Sequence, residues 1–223
     1  MRASRHPKIP YADWFFIALA ALAVVALLIS TKAIVTGRDI ANLQTLLATL
    51  PDVAKAAPGK PAILEGRISA SVVPLYDEFV AYRRERREQG WRNLDSGKQP
   101  LEVDTASGTY LIGNDDYDLD RMISRWTDSK RDDEPPGYFR GAIRIAGLVA
   151  NGPVMAIGRR LEDTAGRRVF HADRAVGLSR ATYAERLKQD YATETHLAMV
   201  AGALAVLGFA ICGWQMWRRL GGA

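Results

Sequence analysis

The stretch WFFIALAALAVVALLIST, Trp14–Thr31, contains 18 residues without a charged side chain, and LAMVAGALAVLGFAICGWQMW, Leu197–Trp217, contains 21. A helix of either length can cross a bilayer hydrocarbon core of about 30 Å. The residues between the two stretches have mixed composition and are numerous enough to bury the core of one domain without disulfides or metals. The sequence therefore predicts a membrane-anchored protein with two transmembrane helices that flank one extramembrane domain.

The first stretch also shares features with a cleaved signal peptide, which combines a basic start with an apolar run. The uncharged run of Trp14–Thr31 is longer than the 7–15 residues of a typical signal-peptide apolar region. A retained membrane anchor is therefore the favoured interpretation, and a cleaved signal is the alternative.

The distribution of charge predicts the orientation in the membrane. The chain has a net charge of +5, but residues 32–196 carry 25 Lys and Arg against 24 Asp and Glu. Basic residues concentrate in both tails, and the positive-inside rule then places both termini in the cytoplasm, with the central domain outside. The opposite orientation stays open, because basic residues also flank the spans on the domain side: Lys32, Arg38, Arg186 and Lys188.

Hydrophobic periodicity and the positions of proline and glycine divide the chain into seven predicted segments. A short amphipathic helix, Asp39–Leu50, and a linker rich in proline and alanine, Pro51–Pro61, are expected between the first span and the domain. The segments are a tail (1–13), the first span (14–35), a short helix and linker (36–61), a β-rich domain (62–178), a helix that begins after the N-cap Ser179 (179–196), the second span (197–217) and a second tail (218–223).

Short runs rich in β-branched and aromatic residues predict that the domain is mainly β, a small barrel or a sandwich. Asp115–Asp120 reads as a solvated loop, and Arg121–Trp126 reads as a single helical turn. The predicted strands are Ala62–Ala70, Glu78–Glu88, Pro100–Thr105, Gly108–Ile112, Phe139–Leu148, Val154–Leu161 and Arg167–Ala172.

The sequence offers no recognisable catalytic, metal or cofactor site, so an enzyme is not predicted. The one cysteine, Cys212, lies in the second span, and the three histidines, His6, His171 and His196, are too scattered to be argued into one metal site. An EF-hand loop that starts at Asp115 would need a glycine at its sixth position and a glutamate at its twelfth, where Asp120 and Trp126 stand. Nucleophile-elbow and phosphate-binding motifs are absent from the sequence.

A run of arginines between Tyr82 and Trp91 is the strongest basic cluster. Because strand side chains alternate, Arg84 and Arg86 should share one face with Tyr82, and Arg83 and Arg87 should share the other with Glu85. The cluster is therefore split and partly neutralised. A solvated face is favoured, contact of Arg84 and Arg86 with anionic lipid headgroups is the alternative, and nucleic acid is not an expected partner.

Small residues in the second span predict close helix packing. Ala198 and Gly202 form one small-xxx-small pair, and Gly208 and Cys212 form another. Two readings carry equal weight: the two spans pack on each other, or this face serves oligomerisation or docking to a larger membrane complex.

The order of several short motifs resembles the GIDE domain, the "beside a membrane" domain of the mitochondrial ubiquitin ligase activator family (MULAN), which also occurs in bacterial membrane proteins. The motifs follow the first span and precede the second: Ile63–Ile68, Val72–Leu75 leading into Phe79–Glu85, Trp91, Pro100–Asp104 with Ser107–Ile112, Gly152–Arg159 and Phe170. The resemblance covers nearly the whole chain and implies the same topology, with a scaffold or recognition role.

Two departures from that family limit what the resemblance implies. Eukaryotic members carry a RING finger after the second span, whereas Arg218–Ala223 holds no zinc ligand, so ligase activity is not expected. A cysteine that often precedes the aromatic-arginine run is replaced by Phe79 and Val80. The predicted function is a non-enzymatic scaffold or accessory subunit of a bacterial inner membrane, which contacts membrane lipids and another membrane protein. The alternative is a ligand-binding or enzymatic domain with an unrecognised site.

Overall fold

A computed structural model describes residues 11–88, 90–120, 122–126, 142–162 and 166–221. The chain divides into two compact units. The helical unit comprises the residues up to Thr45 together with those from Arg186 onward, and the β-rich unit runs from Leu46 to Glu185. The basic N-terminal tail and the start of the predicted strand Phe139–Leu148 lie outside the described residues.

Two long helices supply the helical unit. Helix α1 spans Tyr11–Thr49 and helix α2 spans Arg180–Gly221. Their most apolar windows have mean hydropathies of 2.5 and 2.1, so both are long and apolar enough to cross a membrane. Ser179 caps α2 as predicted, since its hydroxyl oxygen accepts from the backbone N–H of Thr182 at 3.2 Å.

The structure corrects the predicted division of the first helix. Residues 14–35 and 39–50 do not form separate helices, because α1 is continuous through Gly37. Glycine in a helix interior costs about 1 kcal/mol relative to alanine, which lowers stability without ending the helix. Tyr191 of α2 lies at ordinary contact distance, 3.9 Å, from where a Cβ of Gly37 would stand.

Ten strands are present in the described part of the β-rich unit. The strands are β1 (Pro61–Ile68), β2 (Phe79–Arg87), β3 (Trp91–Gly97), β4 (Leu101–Thr105), β5 (Gly108–Ile112), β6 (Asp118–Asp120), β7 (Ile123–Trp126), β8 (Ile143–Val149), β9 (Pro153–Arg160) and β10 (Arg168–Val176). The shortest are β6, with three residues, and β7, with four.

Five strands close into a small barrel. They neighbour one another in the order β5-β4-β1-β9-β10, and β10 returns to pair in parallel with β5. If the barrel strands β1, β4, β5, β9 and β10 are numbered 1 to 5 along the chain, their order around the closed barrel is 1-2-3-5-4. This order, with one parallel pair between strands 3 and 5, is the connectivity of the OB-fold. The barrel predicted from the sequence is therefore confirmed, and the sandwich alternative is wrong.

Two insertions into the barrel build a second sheet with the order β3-β2-β8-β7. This inserted sheet corrects the sequence analysis, which predicted no strand at β3 and a helical turn at Arg121–Trp126, where β7 forms instead. The Asp115–Asp120 loop is also shorter than predicted, because Asp118–Asp120 forms β6 and pairs in parallel with the second half of β10.

Aliphatic and aromatic side chains fill the barrel, with Leu64, Val103, Tyr110 and Phe170 all buried. The predicted linker Pro51–Pro61 contributes to this core. It contains a 3₁₀ helix, Val53–Lys55, and it buries Val53 and Ala56 against the barrel strands. A segment rich in proline and alanine thus contributes two side chains to the barrel core, and valine and alanine are residue types that are often fully buried.

Arg180 joins the two helix ends that belong to the β-rich unit. Its guanidinium donates to the carbonyls of Leu47 and Leu50, at the C-terminus of α1, where carbonyls lack helical partners. Its backbone N–H donates to Glu65 Oε1 of β1 at 2.9 Å. The end of α1 and the start of α2 are thereby fixed to the barrel.

Candidate functional site

The loop between β1 and β2 presents an apolar tip to solvent. Val73 is 74% exposed and Leu75 is 44% exposed, and the exposed Pro74 lies between them. We call these three residues the apolar tip. Contiguous exposed apolar side chains mark interaction surfaces more often than isolated ones do.

Backbone hydrogen bonds hold the apolar tip in one conformation. Gln99 Nε2 donates to the Val73 carbonyl at 2.7 Å, and the Leu75 N–H donates to the Phe79 carbonyl at 2.8 Å. Asp77 turns the chain with φ of 53°, a left-handed conformation that aspartate adopts more readily than most residues. The tip is therefore presented by a fixed turn.

A polar cleft of about 530 Å³ opens elsewhere on the β-rich unit. Four strands and the segment after β3 contribute to it, and its lining includes both cations and carboxylates. The lining residues are Arg83, Asn93, Ser96, Lys98, Asp118, Leu119, Asp120 and Arg174.

Two lining residues of the polar cleft form an ion pair that extends to α2. Arg174 Nη1 lies 3.2 Å from Asp120 Oδ2, and the Tyr183 hydroxyl donates to the same oxygen at 2.7 Å. Burial of the Tyr183 ring, together with this hydrogen bond to a carboxylate, raises the pKa of Tyr183 to about 12. Asp120 is thus held from one side by a cation and from the other by a neutral phenol.

Lys98 enters the cleft with a neutral partner. Its ammonium donates to the Tyr117 carbonyl at 2.6 Å and lies 5.6 Å from the centre of the Tyr117 ring. The Tyr117 hydroxyl donates to the Gln99 carbonyl at 3.1 Å, and burial raises the pKa of Tyr117 well above its usual value. Neither contact of Lys98 places a carboxylate against its charge.

A buried carboxylate organises the inserted sheet. Glu85 is 6% exposed, and its Oε2 accepts from Arg144 Nε at 2.6 Å. Arg83 Nε lies 3.0 Å from Glu85 Oε1, an ionic contact without hydrogen-bond geometry. The Arg144 guanidinium also stacks on Trp91 at 4.0 Å from the ring centre, a cation–π arrangement.

The structure distinguishes the two arginines for which contact with lipid or a partner is the alternative to a solvated face. Arg84 Nη2 pairs with Asp95 Oδ2 on β3 at 2.7 Å, so its charge is compensated. Arg86 is exposed on β2 and has no partner among the described residues. Of the two residues, Arg86 keeps its charge available for an anionic surface.

The small residues of α2 contact α1 within the helical unit. The Ser30 hydroxyl donates to the Ala198 carbonyl at 2.9 Å and lies 3.3 Å from where a Gly202 Cβ would stand. A Cβ at Gly208 would lie 2.8 Å from Ala23 Cβ. Residue numbers rise along one helix as they fall along its neighbour, so the pair is antiparallel, and glycine permits the close approach.

Among the described residues, no three side chains of the metal-binding types converge. His171 Nε2 lies 3.9 Å from Asp173 Oδ1, a long ion-pair distance, and Asp116 is a further acidic neighbour. In the aspartate-rich segment, Asn114 bonds to Asp116 at 2.6 Å and lowers the pKa of that carboxyl, and its amide also bonds to the backbone of Ala172 on β10. These contacts shape the loop and leave its carboxylates unassembled.

The sequence predicts neither the apolar tip nor the polar cleft as a site. Val72–Leu75 contributes only as one motif of the family resemblance, although a valine and a leucine on either side of a proline are a visible signal. The cleft has no local signal, because its residues come from three separate stretches of the chain: 83–98, 118–120 and 174.

Comparison with family models, with curated proteins and with solved structures finds no match to this chain.

Proposed function

We propose that the chain is a non-enzymatic, two-span membrane protein whose β-rich domain binds or positions a protein partner at the membrane surface, as a scaffold or accessory subunit. The observation that carries this proposal is the apolar tip, Val73-Pro74-Leu75, which a fixed turn presents to solvent.

Lipid is the natural environment for the two helices. Only 11% of the most apolar window of α1, and 17% of that of α2, is buried inside the chain. A core helix of a water-soluble protein would be mostly buried, whereas here side chains such as Leu22, Leu28 and Val206 are more than 60% exposed. A hydrocarbon surrounding would remove this apolar area from water at about 25 cal/mol per Å².

The apolar tip suits a protein partner because its conformation is already fixed. Binding loses free energy when a flexible loop must be ordered, so a rigid apolar anchor loses less. Interfaces also concentrate their binding energy in a few side chains that enter pockets on the partner. Val73 and Leu75 are the side chains that we expect to do so.

The remaining features belong to the same proposal. From the basic tails we infer that both termini lie in the cytoplasm and the β-rich domain outside it. We propose a bacterial inner membrane because the chain resembles a domain that also occurs in bacterial membrane proteins. The resemblance to the GIDE domain supports a scaffold or recognition role, and the lack of zinc ligands in Arg218–Ala223 argues against RING-type ligase activity for this stretch of chain. A cytoplasm-only fluorescent reporter fused after Ala223 should fluoresce, whereas activity of an exported phosphatase fused there would reverse the orientation.

Site-specific photo-crosslinking tests the partner proposal. A photoreactive residue at position 73 in membranes should give a defined adduct with one protein, and the adduct should disappear when Leu75→Asp is added. Leu161→Asp is the matched control, because Leu161 is a similarly exposed leucine (39%) of the same unit. Adducts that form only with lipid, or that survive Leu75→Asp and are lost with Leu161→Asp, would exclude the apolar tip as the partner surface.

A further inference from the structure

The polar cleft has the size of a small-molecule site but an unusual lining. Its volume of about 530 Å³ lies within the range of known ligand pockets. Such pockets are predominantly apolar, whereas seven of the eight residues that line this one are polar or charged. An occupant must therefore be strongly polar itself.

Cations outnumber carboxylates among the side chains that line the cleft, and one of the carboxylates is already paired. Three cations, Arg83, Lys98 and Arg174, face two carboxylates, Asp118 and Asp120. Asp120 is already engaged by Arg174 and by the Tyr183 hydroxyl. Its negative charge is therefore largely compensated within the protein.

Two of the cations lack full compensation. Lys98 forms no ion pair with a described carboxylate: its contacts are a neutral carbonyl and an aromatic ring, and Asp116 acts on its charge only from beyond ion-pair distance. Arg83 shares the Glu85 carboxylate with Arg144, so that one negative charge faces two guanidinium groups. The effective dielectric constant near a protein surface is lower than in bulk water, so an incompletely paired charge there attracts an opposite charge more strongly. These two residues therefore favour an anion.

The other lining groups suit the polar body of a ligand. Asn93 and Ser96 offer neutral donors and acceptors, and the exposed Asp118 has no partner among the described residues. Asp118 would repel an anionic group placed beside it, but it would accept hydrogen bonds from hydroxyl or amino groups. A bare inorganic anion would contact the cations but would leave Asp118, Asn93 and Ser96 without a ligand group.

We propose that the polar cleft binds a small hydroxylated or amino-bearing molecule that carries one anionic group, a carboxylate or a phosphate. Lys98 and Arg83 hold the anionic group, and Arg174 joins them from its pair with Asp120. Asp118, Asn93 and Ser96 hold the hydroxyl or amino groups. The cleft shares no residue with the apolar tip, so the two sites are tested independently.

Titration calorimetry on the full chain in lipid nanodiscs tests this assignment with three related probes. Glucose 6-phosphate and gluconate carry a phosphate and a carboxylate on a polyhydroxylated body, and glucose carries neither. We expect at least one of the anionic probes to bind and glucose not to, and the better anionic probe identifies the preferred group. Raising the salt concentration should weaken binding, because the attraction is electrostatic. Equal binding of all three probes, or binding of none at millimolar concentration, would overturn the assignment.

Charge-neutralising variants identify the cleft as the site. Lys98→Gln should weaken binding of the anionic probe by about tenfold, which corresponds to about 1.4 kcal/mol, because it removes a charge-assisted hydrogen bond. Lys60→Gln, which removes an exposed lysine outside the cleft, should leave binding unchanged. Equal effects of the two variants would place the anion elsewhere.

Asp118→Asn separates an anion site from a cation site. For the proposed ligand, this variant removes a repulsive charge and keeps a hydrogen-bonding amide, so binding of the anionic probe should be retained or tightened. If the cleft instead binds Mg²⁺ or Ca²⁺, the metal should bind to the wild-type chain and be lost in Asp118→Asn. That result would replace the proposed anion with a cation.

Discussion

The barrel and the inserted sheet differ in the kind of side chain that they bury. Inside the barrel, apolar side chains such as Leu64 and Phe170 exclude water without polar partners. In the inserted sheet, the buried Glu85 is compensated by Arg144 and Arg83, and Arg144 in turn stacks on Trp91. The barrel interior depends on apolar volume and area alone, whereas the inserted sheet adds a buried, charge-paired cluster to the apolar side chains that it also buries.

The difference teaches where substitutions will be tolerated. An apolar core loses stability in proportion to the volume removed, whatever the partner residue. A buried ion pair loses most when a single partner is removed, yet it tolerates replacement of both partners by apolar groups. The two regions should therefore respond oppositely to paired substitutions.

The largest effect is expected in the barrel. Phe170→Ala removes a fully buried ring from the core of the barrel and should lower the free energy of unfolding by about 3–5 kcal/mol. Urea unfolding of the full chain in detergent, followed by the circular dichroism of the strands, measures it. Val169→Ala is the neighbouring control, because this half-buried side chain points to the opposite face of β10 and should cost below about 1 kcal/mol. Equal losses would mean that Phe170 does not sustain the barrel core.

The inserted sheet should show a smaller loss that a second substitution reverses. Arg144→Met leaves the buried Glu85 with only the Arg83 contact, at a cost of about 2–3 kcal/mol for an undercompensated buried charge. Adding Glu85→Leu should restore most of that loss, since apolar replacement of a buried pair is often neutral. The same unfolding measurement applies. A double variant less stable than Arg144→Met alone would show that the ion pair itself stabilises the sheet.

The helical unit tests packing where no sheet is involved. Gly208→Val places a side chain 2.8 Å from Ala23 Cβ and should destabilise the helix pair by about 1–3 kcal/mol through overpacking. Gly213→Val is the control in the same helix, because no heavy atom lies within 4 Å of its Cβ position. Thermal loss of the helical signal in detergent measures both variants. A control that melts with Gly208→Val would show that α1 does not contact this face of α2.

Much of the fold could be predicted because most barrel strands carry their own signal. Gly108–Ile112 was predicted to the residue, and β1, β4 and β9 were predicted within two residues of their observed ends. Each of these strands alternates or concentrates β-branched and aromatic side chains, which is the pattern that burial in a sheet requires.

Two of the three strands that were not predicted, β3 and β6, have polar sequences and owe their form to their neighbours. Most side chains of β3 are exposed at the edge of the inserted sheet, and β6 is only Asp-Leu-Asp. Both are strands because β2 and β10 offer hydrogen bonds to their backbones. The local β-propensity of their sequences does not predict this pairing. The polar cleft could not be predicted for the same reason, since it forms only when β6 and β10 meet the inserted sheet.

The junction between the barrel and α2 should respond to pH. The pKa of Tyr183 is raised to about 12 in the fold, against about 10 for an exposed tyrosine. Below pH 10 the phenol is neutral in both states, so its contribution to stability is fully present there, and this contribution is lost as the pH rises from about 10 to 12, where the unfolded state ionises first. Wild type should therefore lose stability in this window more steeply than Tyr183→Phe, as followed by unfolding at each pH. Parallel curves for the two proteins would contradict the raised pKa.

The smallest effect concerns the exposed face of the inserted sheet, where Arg84 and Arg86 differ in compensation. Arg86 is exposed and uncompensated, so contact with anionic lipid should contribute about 1 kcal/mol, whereas Arg84 is neutralised by Asp95 and should contribute less. Hydrogen exchange of β2 in nanodiscs gives the measurement, with protection expected to be greater in anionic than in zwitterionic lipid and to fall at high salt. Arg86→Ala should remove that difference and Arg84→Ala should largely preserve it, while Arg159→Ala, an exposed arginine of β9, serves as the control. Protection that ignores lipid charge in the wild type would exclude lipid contact at this face and leave Arg86 as a solvated residue.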